Sequence, residues 1–562
     1  MMITKINKFA LLLLMVCCSI SVSAAVEAEY KKLAKSWTLN EDGSQEFRYN
    51  MELTLFTHAA MNSKYGESFI VYNPQYQTLT INESYTKQKD GSIIKTPANA
   101  FVEVLPRNAA DAPAYNQLKE MVVVHTGLEL GATIYLDYTV TSKPGYLPEL
   151  DIFEIIQQSS PVREYTFTLA TPTNKTVSYT LTNSKVKAIV KEDAKKRVTS
   201  WTMRNVPQLS TSANVQVSNG DIPFLAATTY ADAKTALSTL NNQMDTVNDN
   251  IQTLVAEVTK GVSSNENKIQ KIVEFVGNEL SFNSLTLQQT GYRFRPVSEV
   301  LATAYGTEAE KANLLAMMLK TAGLRAEVVI GYPVKATQGL ALTAIDHLYV
   351  AVDGGKYIFA VNTLARPERV VFNQSPLYSV KDGKPVQVEA ASKYQIVGNQ
   401  SLSVSDKQWV IDNNETIGED LLPYFADGKV AKESRISMNV HHGYATLVLK
   451  ESAYGVSTLG YGHLNSIRKG NLLLPRLVDE MYTYEITCPQ NMELRTPAGI
   501  TEIHNAAGDL VISVDKEGQK ATVTRSLKLK KQLFTPSEYK AVRDLLTTWS
   551  DVNGKTLLFL VK

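Results

Sequence analysis

The stretch 305–332 constrains the fold more than any other part of the chain, because it specifies both ends of a helix and the strand that follows. Thr307 is a favourable N-cap residue, and Glu310, three positions later, completes a capping box. Apolar residues then recur on one face, and Gly323 stands where a left-handed residue would close the last turn. The residues that alternate after it in the manner of a strand are Ala326, Val328 and Ile330. We predict a capped helix that ends near Ala322 and leads directly into a strand.

Residues 1–24 have the three parts of a secretory signal peptide. Lys5 and Lys8 form a basic start, residues 10–20 are apolar, and small residues precede a cleavage site near Ala24. We predict that this signal is removed and that the mature chain works outside the cytoplasm. Removal takes away two lysines and no acidic residues, so the mature chain stays close to neutral.

Two of the three cysteines lie within this signal. Cys17 and Cys18 leave lipidation open as an alternative, although Met15 and Val16 are not the small residues that usually precede a lipidated cysteine. Only Cys488 remains in the mature chain, which excludes an intrachain disulfide framework. Burial preference predicts that Cys488 is a buried strand residue rather than a nucleophile.

The composition is that of an ordinary globular chain. Its 562 residues correspond to about three to four domains, and 44% are hydrophobic while 20% are charged. A formal net charge of +1 provides no electrostatic footprint for nucleic acid or for an acidic membrane surface. No apolar run after the signal approaches the length needed to cross a bilayer. We expect neither a nucleic-acid partner nor a transmembrane segment.

Changes of periodicity divide the mature chain into three regions and predict an α+β multidomain fold. Short β-branched and aromatic segments, punctuated by Asp-Gly pairs at 42–43 and 90–91, predict a β-sandwich over 25–228. Helical periodicity follows, and we predict an α+β core with a preceding long helix over 229–375. β character returns over 376–562, which we predict to be a β-rich C-terminal region.

Further helical segments and one hairpin are predicted. Apolar residues at steps of three and four predict one long helix over 232–260, for which a coiled-coil dimer is the less favoured alternative. A second helix begins at a capping box formed by Ser263 and Glu266, and a third covers 465–481. The strands of the hairpin are 347–352 and 357–361.

With these elements in place, residues 264–365 resemble the transglutaminase-like, papain-like fold. The resemblance is to a branch of exported bacterial proteins in which a β-rich domain of unknown function precedes the core. The segments 106–115, 127–138 and 534–539 are similar to the same family, so the resemblance covers nearly the whole mature chain. It implies a location in the periplasm or on the outer surface of a Gram-negative bacterium.

The resemblance also implies that the family's catalytic residues are replaced. The family's helix start reads Tyr-Gly-Asp-Cys-x-Asp-Lys-Ala, whereas 305–312 reads Tyr-Gly-Thr-Glu-Ala-Glu-Lys-Ala, so Glu308 stands where the nucleophilic cysteine belongs. His347 fits the place of the family's histidine at the start of the hairpin. The carboxylate expected on the second hairpin strand is replaced by Ala360.

These replacements predict a catalytically inactive protein that binds or organises a peptide, protein or glycan outside the cytoplasm. Acyl transfer by this fold needs a thiolate activated by an oriented histidine, and a carboxylate is not a comparable nucleophile. Two alternatives remain open. One is an active protease, amidase or transglutaminase-like enzyme that uses Glu308 and His347 as an unusual acid/base pair, and the other is a purely structural scaffold.

A binding surface is predicted beside this site, and no metal site or cofactor is predicted. On the family's layout, residues that border the cleft are Tyr292, Arg293, Phe294, Arg295 and Tyr332. Ordinary packing is the competing explanation for these residues, because amphipathic aromatics serve both purposes. His441 and His442 are neighbours in a predicted strand, where side chains alternate between faces, so they are not expected to share an ion.

Overall fold

A computed structural model describes residues 26–209, 222–244, 249–334, 337–362, 366–369, 372, 375–425, 432–468 and 470–562. The predicted signal, 1–24, lies outside the described residues. Two strand-rich regions flank a central helical core, so the predicted α+β multidomain fold class is confirmed. Within these ranges, none of the helices combines the length and the apolar character needed to cross a membrane.

In the described parts of the N-terminal region, 26–209 and 222–228, the regular structure consists of strands and short single-turn helices. Its strands are β1 (Ala28–Leu39), β2 (Gln45–Leu55), β3 (Glu67–Tyr72), β4 (Gln77–Lys87), β5 (Ile93–Lys95), β6 (Phe101–Val104), β7 (Lys119–Val124), β8 (Thr133–Ser142), β9 (Asp151–Ile155), β10 (Val162–Pro172), β11 (Ser178–Leu181), β12 (Ile189–Glu192), β13 (Lys196–Val206) and β14 (Phe224–Thr228).

These strands form one large sheet and two small ones that share a core. The eight-stranded sheet has the order β12-β13-β10-β1-β2-β8-β4-β5, and the three-stranded sheets have the orders β3-β7-β6 and β11-β14-β9. Inward-facing residues of all three sheets belong to one hydrophobic cluster, among them Leu53, Val123 and Leu225. The sheets therefore bury one another's apolar faces, as packed sheets do.

The central core combines helices with a small sheet. Its elements are α1 (Ala233–Asn241), α2 (Asp249–Val258), α3 (Asn265–Asn278), β15 (Ser281–Asn283), α4 (Val297–Thr303), β16 (Tyr305–Thr307), α5 (Glu308–Thr321), β17 (Ala326–Gly331), β18 (His347–Val352), β19 (Tyr357–Ala360), β20 (Leu377–Ser379) and β21 (Pro385–Val386). The main sheet has the order β19-β18-β17-β20-β21, and β18 with β19 forms the predicted hairpin.

Helix α5 is the centre of this core. It contacts α2, α3 and α4 as well as β17 and β18, and every residue over 309–319 is buried. The sequence indicated one apolar face, but the helix is enclosed on all sides, as expected of a central helix. Its predicted limits are confirmed: the helix ends at Thr321, and Gly323 follows with φ +87°.

The long helix predicted over 232–260 is wrong as a single element. Helix α1 ends at Asn241 and α2 begins at Asp249, while 245–248 lie outside the described residues. The turn after Asn241 is stabilised by hydrogen bonds to a distant loop. Gln243 donates to the Tyr292 carbonyl at 2.8 Å and accepts from the Phe294 N–H at 3.3 Å. Asparagines at 241 and 242 are also weak helix formers.

The next predicted helix start is off by one position. Ser264, not Ser263, caps α3, and its hydroxyl accepts from the Asn267 N–H at 3.2 Å. The helix buries one apolar face, whose residues are Ile269, Ile272, Val273 and Val276.

The C-terminal region returns to strands and ends in one helix and a last strand. Its elements are β22 (Gln395–Ser405), β23 (Gln408–Ile417), β24 (Glu433–Ser437), β25 (Val440–His441), β26 (Tyr444–Val448), β27 (Leu472–Leu473), β28 (Asp479–Thr487), β29 (Met492–Leu494), β30 (Gly499–His504), β31 (Gly508–Glu517), β32 (Lys520–Leu529), β33 (Leu533–Phe534), α6 (Tyr539–Ser550) and β34 (Thr556–Val561). The two larger sheets have the orders β24-β23-β22-β28-β32-β31-β30 and β25-β26-β34-β29.

The helix predicted over 465–481 is wrong. The described part of this segment contains β27 and the start of β28 instead. Gly470 and Pro475 interrupt any helix here, and the alternating burial along β28 shows a strand with one face in the core.

A loop of the N-terminal region reaches the start of α5. The Ala114 N–H donates to the Tyr305 hydroxyl at 2.8 Å, and Asn283 donates to the Asn108 carbonyl at 2.8 Å. A small hydrophobic cluster joins the two regions at this point, and its members are Ala109, Ala112, Tyr115, Leu118, Leu285 and Tyr305. The N-terminal region therefore forms part of the surroundings of the helix start.

Candidate functional site

The predicted capping box fixes the N-terminus of α5. The Thr307 N–H donates to Glu310 Oε2 at 2.8 Å, and the Glu310 N–H donates to Thr307 Oγ1 at 3.4 Å. Both halves of the box are therefore formed, and the residue between them, Glu308, is the first residue of the helix. Its carboxylate lies at the positive end of the helix dipole, which favours a negative charge.

Glu308 and His347 are in direct contact. Glu308 Oε1 lies 3.1 Å from His347 Nδ1, and His347 is placed there because it opens β18 opposite Gly331 of β17. The Glu308 side chain is 26% exposed and that of His347 is 54% exposed, so the pair faces solvent. On the other side of the ring, Asp346 Oδ2 lies 3.9 Å from His347 Nε2. The imidazole thus stands between two carboxylates.

This setting stabilises the protonated imidazole. The hydrogen bond with Glu308 raises the pKa of His347 most, the charges of Asp346 and Glu308 raise it further, and partial burial opposes them. A protonated imidazole has both nitrogens occupied by hydrogen and cannot take a proton from a nucleophile. The contacts with Glu308 and Asp346 therefore favour the cationic imidazole over the neutral form that acts as a general base.

Ala360, the residue predicted to replace the family's carboxylate, has only a methyl group as its side chain. Ala360 closes β19 and pairs with Tyr349 of β18, two residues after His347. Its side chain offers no atom that could accept a hydrogen bond from the imidazole. Cys488 provides no substitute, because it is 6% exposed and belongs to the core of the C-terminal region, where burial raises its pKa.

A second carboxylate, two residues after Glu308, has an entirely different setting. Glu310 is 0% exposed, and Arg295 donates to it from Nε at 2.8 Å and from Nη2 at 3.0 Å. The Tyr115 hydroxyl of the N-terminal region donates to Glu310 Oε1 at 2.5 Å. Burial by itself raises the pKa of Glu310, but the bonds from Arg295, Tyr115 and the Thr307 N–H outweigh it, so the net pKa is lowered.

The five predicted binding residues do not form one surface. Tyr292 and Tyr332 are each 4% exposed and lie in the core, and Arg295 is committed to Glu310. Arg293 is exposed, but its guanidinium lies over the rings of Tyr76 and Tyr146 at 4.9 and 5.5 Å. Phe294 is half-buried against the core. Their role in ligand binding stays a prediction, and only Arg293 presents its side chain to solvent.

Two further residues of this part of the structure were not predicted. Asp346 could have been suspected from its place directly before His347, whereas Phe282 carries no sequence signal. Phe282 is 42% exposed in β15, opposite Gly306 of β16, and so stands next to the residues that precede Glu308. Register between strands that are distant in sequence is set by tertiary packing, which a single sequence does not reveal.

The prediction that His441 and His442 point to opposite faces is wrong. Strand β25 ends at His441, and His442 turns into the left-handed region with φ +49°, so the ring centres lie 4.2 Å apart. Among the residues that the structure describes, no three histidine, cysteine, aspartate or glutamate side chains are arranged to hold a metal ion.

The chain matches three families along its length. Residues 41–210 match a domain of unknown function with solved structures, DUF3857, residues 252–360 match the transglutaminase-like superfamily, and residues 450–559 match a second such domain of unknown function, DUF3858. No curated protein matches the chain.

A solved structure shares the whole architecture. It is a protein from Parabacteroides distasonis described as a "putative protease", 40% identical, with a TM-score of 0.80 over 95% of this chain and 99% of that one. A zinc metallopeptidase from Deinococcus radiodurans is 10% identical, with a TM-score of 0.18 over 36% of this chain and 42% of that one, which is too low to support any argument.

Proposed function

Because the chain belongs to the transglutaminase-like superfamily, in the architecture that has DUF3857 before the core and DUF3858 after it, we propose that it is an exported protein whose cleft binds a ligand instead of performing thiol chemistry. The proposed place of action is the cell envelope, in the periplasm or on the outer surface of a Gram-negative bacterium. The basis for export is the signal-like sequence at 1–24.

One observation carries the proposal: the 3.1 Å contact between Glu308 and His347. In this fold, acyl transfer needs a thiolate at the helix start, paired with a histidine that a third group orients. Here the helix start carries a carboxylate, the histidine is hydrogen-bonded to that carboxylate, and Ala360 provides no orienting group. The cleft retains its framework and its polar groups but lacks the parts that attack a carbonyl carbon.

The exposed groups of the cleft suit a peptide or a glycan. Glu308, Asp346 and His347 offer charged hydrogen-bonding atoms, and Phe282, which pairs with Gly306 two residues before Glu308, offers an exposed ring. A few convergent polar groups beside an aromatic face are typical of sites that bind such ligands. The ligand-binding surface proposed here consists of these four residues.

The absence of thiol chemistry is tested by an amide-hydrolysis and glutamine-transfer assay on the purified mature chain. We expect no turnover above the uncatalysed rate, and treatment with iodoacetamide should change nothing because Cys488 is buried. Turnover that iodoacetamide abolishes would overturn the proposal.

Binding is tested by selecting phage-displayed short peptides on the immobilised mature chain. Peptides enriched on the native protein should lose binding to Glu308→Arg, which reverses the charge at the centre of the cleft. An exposed carboxylate of the C-terminal sheet, changed as Asp412→Arg, is the matched control and should leave binding intact. Selected peptides that bind Glu308→Arg equally well would place the binding surface elsewhere.

The same contact favours a second candidate, an acid/base enzyme that uses Glu308 and His347 directly. A hydrogen-bonded carboxylate and imidazole can shuttle a proton when a substrate displaces one partner. This candidate would be favoured by turnover that resists iodoacetamide but is lost in both Glu308→Gln and His347→Gln. Glu308→Gln keeps the shape of the side chain, so a loss of rate in that variant reports the charge.

A further inference from the structure

A cavity of about 360 Å³ opens beside β3 in the N-terminal region. Four consecutive residues of this strand, 69–72, form one side of the cavity. Another side is formed by Trp37, Phe47 and Tyr138, which lie on β1, β2 and β8 of the large sheet. The ring centres of Trp37 and Phe47 lie 5.3 Å apart, and those of Phe47 and Tyr138 lie 6.2 Å apart. All three residues are partly exposed, so the cavity has an accessible aromatic wall.

Strand β3 lies at the end of its sheet and pairs with β7 on one side. In an antiparallel pair, successive residues direct their backbone N–H and C=O groups alternately toward the partner strand and away from it. The alternation in β3 follows from Gly66, whose carbonyl accepts from the His125 N–H at 2.9 Å. Every second residue after Gly66 therefore bonds to β7. The residues between them direct their backbone groups to the free edge, and they are Glu67, Phe69 and Val71.

The free edge of β3 faces the cavity with unpaired backbone groups. Within the described part of the chain, no hydrogen bond reaches the backbone of Phe69 or Val71 from outside the pair of β3 and β7. Phe69 is 59% exposed, Val71 is partly exposed, and both line the cavity. An unpaired strand edge is a template for the addition of another strand.

The two faces of an added strand would meet different surroundings. Ile70 and Tyr72 belong to the core of the N-terminal region. Because side chains alternate along a strand, the outer face of β3 carries Glu67, Phe69 and Val71. Glu67 is exposed and forms no ion pair with any other described residue. A basic side chain on the outer face of the added strand would therefore find an opposite charge beside it.

We propose that β3 binds an extended peptide segment of another polypeptide as an added antiparallel strand, with apolar side chains against the aromatic wall and basic side chains beside Glu67. Hydrogen bonds to the backbone of Phe69 and Val71 provide affinity, and the two different faces provide selectivity. Alternation of apolar and basic residues fixes the register, because a shift by one residue exchanges the two faces. An acidic segment is disfavoured, because like charges directly opposite each other on neighbouring strands repel.

The probe for this site is the heptapeptide Lys-Val-Lys-Phe-Lys-Val-Lys, with fluorescein on its N-terminus and an amide at its C-terminus. Fluorescence polarisation measures its binding to the mature chain, and we expect saturation. The counterpart with glutamate in place of every lysine should bind at least about tenfold more weakly.

N-methylation of the probe tests the backbone pairing directly. Residues directly opposite each other in an antiparallel pair share a face, and at this edge they also exchange backbone hydrogen bonds. The lysines of the probe should therefore direct their N–H groups to β3, whereas the valines direct theirs away from it. Methylation of the two lysine nitrogens next to phenylalanine should weaken binding at least about tenfold, and methylation of the two valine nitrogens should change it by less than about twofold.

A proline variant tests the same bonds from the side of the protein. Val71→Pro removes an N–H that faces the cavity but none that bonds to β7, and edge strands accept proline at such positions. We expect it to weaken the probe by about fivefold or more. The matched control is Val190→Pro in β12, an end strand of the large sheet, and it should leave binding unchanged. The Asp193 N–H donates to the Lys196 carbonyl at 3.0 Å, so by the same alternation the Val190 N–H points away from β13.

Charge variants test the outer face. Glu67→Lys reverses the charge beside the lysines of the probe and should weaken binding by about threefold or more. Glu517→Lys, at an exposed glutamate in β31, is the matched control and should have no effect. Glu308→Arg should also leave binding of the probe intact, because Glu308 does not line this cavity. A weaker probe in Glu308→Arg would place the probe in the cleft and overturn the proposal.

The proposal is overturned if the probe does not saturate, if the glutamate counterpart binds equally well, or if the lysine-methylated peptide is not the weaker of the two methylated peptides. If Val71→Pro does not fold, as judged by circular dichroism, Glu67→Lys and the methylated peptides decide. A dimer of the chain that Val71→Pro dissociates, as measured by sedimentation, would also overturn it, because a second copy would then occupy the edge. Failure of this proposal leaves the proposed function of the cleft untouched, since the two sites share no residue.

Discussion

Glu308 and Glu310 lie two residues apart at the start of α5 and have opposite roles. Glu310 is 0% exposed, and its carboxylate accepts hydrogen bonds from Arg295, Tyr115 and the Thr307 N–H. Glu308 is 26% exposed and has His347 as its side-chain partner, at 3.1 Å. One carboxylate holds the helix in place, and the other is accessible to solvent.

The difference shows that the residues that stabilise the helix start are not the residue that stands where the family's nucleophile is predicted to lie. The helix start is stabilised by Thr307, Glu310 and Arg295, none of which requires a cysteine at position 308. Chemistry and stability therefore depend on neighbouring but separate residues, and one can change while the other stays.

The sharpest test of this division is Glu310→Ala. Removing the carboxylate leaves Arg295, whose side chain is 9% exposed, as a buried charge without its partner, and we expect a loss of about 3–5 kcal/mol in the free energy of unfolding. Urea denaturation measures it. The matched change Glu308→Ala should cost less than about 1 kcal/mol, because its pair with His347 is exposed. Equal losses would contradict the distinction between the two glutamates.

Lys311, the residue after Glu310, is a further buried charge at the helix start, and its contribution to stability depends on pH. It is 1% exposed, its amine donates to the Leu280 carbonyl at 2.7 Å, and burial lowers its pKa from 10.5 to about 8. Below pH 8 both the folded and the unfolded chain carry the charge, and the folded chain bears the cost of burying it. Between pH 8 and pH 10.5 the folded chain has released a proton that the unfolded chain still holds, so stability rises with pH.

Over that interval we expect the native chain to gain about 3 kcal/mol relative to Lys311→Met, whose side chain does not titrate. Denaturation curves of both proteins at matched pH values measure the difference. Parallel dependence on pH would show that Lys311 is not the titrating group.

The exposed side of the helix start can be tested by restoring a thiol. In Glu308→Cys the sulfur stands at the positive end of α5 next to His347, and we expect its pKa to fall below 8.5, which raises the thiolate fraction at pH 7 by roughly tenfold. Absorbance of the thiolate during a pH titration measures it. The double variant with His347→Gln should lose part of the shift, and Cys488→Ala removes the remaining native thiol. A thiol with an ordinary pKa would contradict the proposed electrostatics.

The smallest expected effect concerns His347 itself. Its pKa is raised above 6.5 chiefly by the bond with Glu308, so Glu308→Gln should lower it, as measured by NMR titration. The corresponding stability is fully present below pH 6.5 and is lost as the pH rises through the folded-state value. It should amount to less than about 1 kcal/mol, because the imidazole is 54% exposed. An unchanged pKa of His347 in the variant would exclude Glu308 as the cause of the raised value.

Local signals predicted the central part of the fold. The capping box of Thr307 and Glu310, the end of α5 near Ala322 and the hairpin after it depend on residues close in sequence, and the structure has all of them. The contact between Glu308 and His347 could be anticipated only from the family resemblance, because 39 residues separate them.

What the sequence did not reveal was decided by tertiary contacts. The break after α1 depends on bonds between Gln243 and a loop nearly fifty residues away. The burial of Tyr292 and Tyr332, the commitment of Arg295 to Glu310 and the strands within 465–481 depend on packing between elements distant in sequence. Amphipathic residues such as tyrosine and arginine occur both at the surface and in the interior, so the residue type alone does not predict whether the side chain is buried.

Because the Tyr115 hydroxyl of the N-terminal region donates to Glu310, the central core is not independent of the N-terminal region when the chain is truncated or recombined. A fragment limited to 229–375 would uncover Leu285 and Tyr305 and deprive the helix start of one donor. The N-terminal region and the central core therefore have to be kept together. Replacing the N-terminal region with that of another protein would succeed only if the replacement had an equivalent of Tyr115. Boundaries that look modular along the sequence are joined in space by hydrogen bonds and by a hydrophobic cluster shared between the two regions.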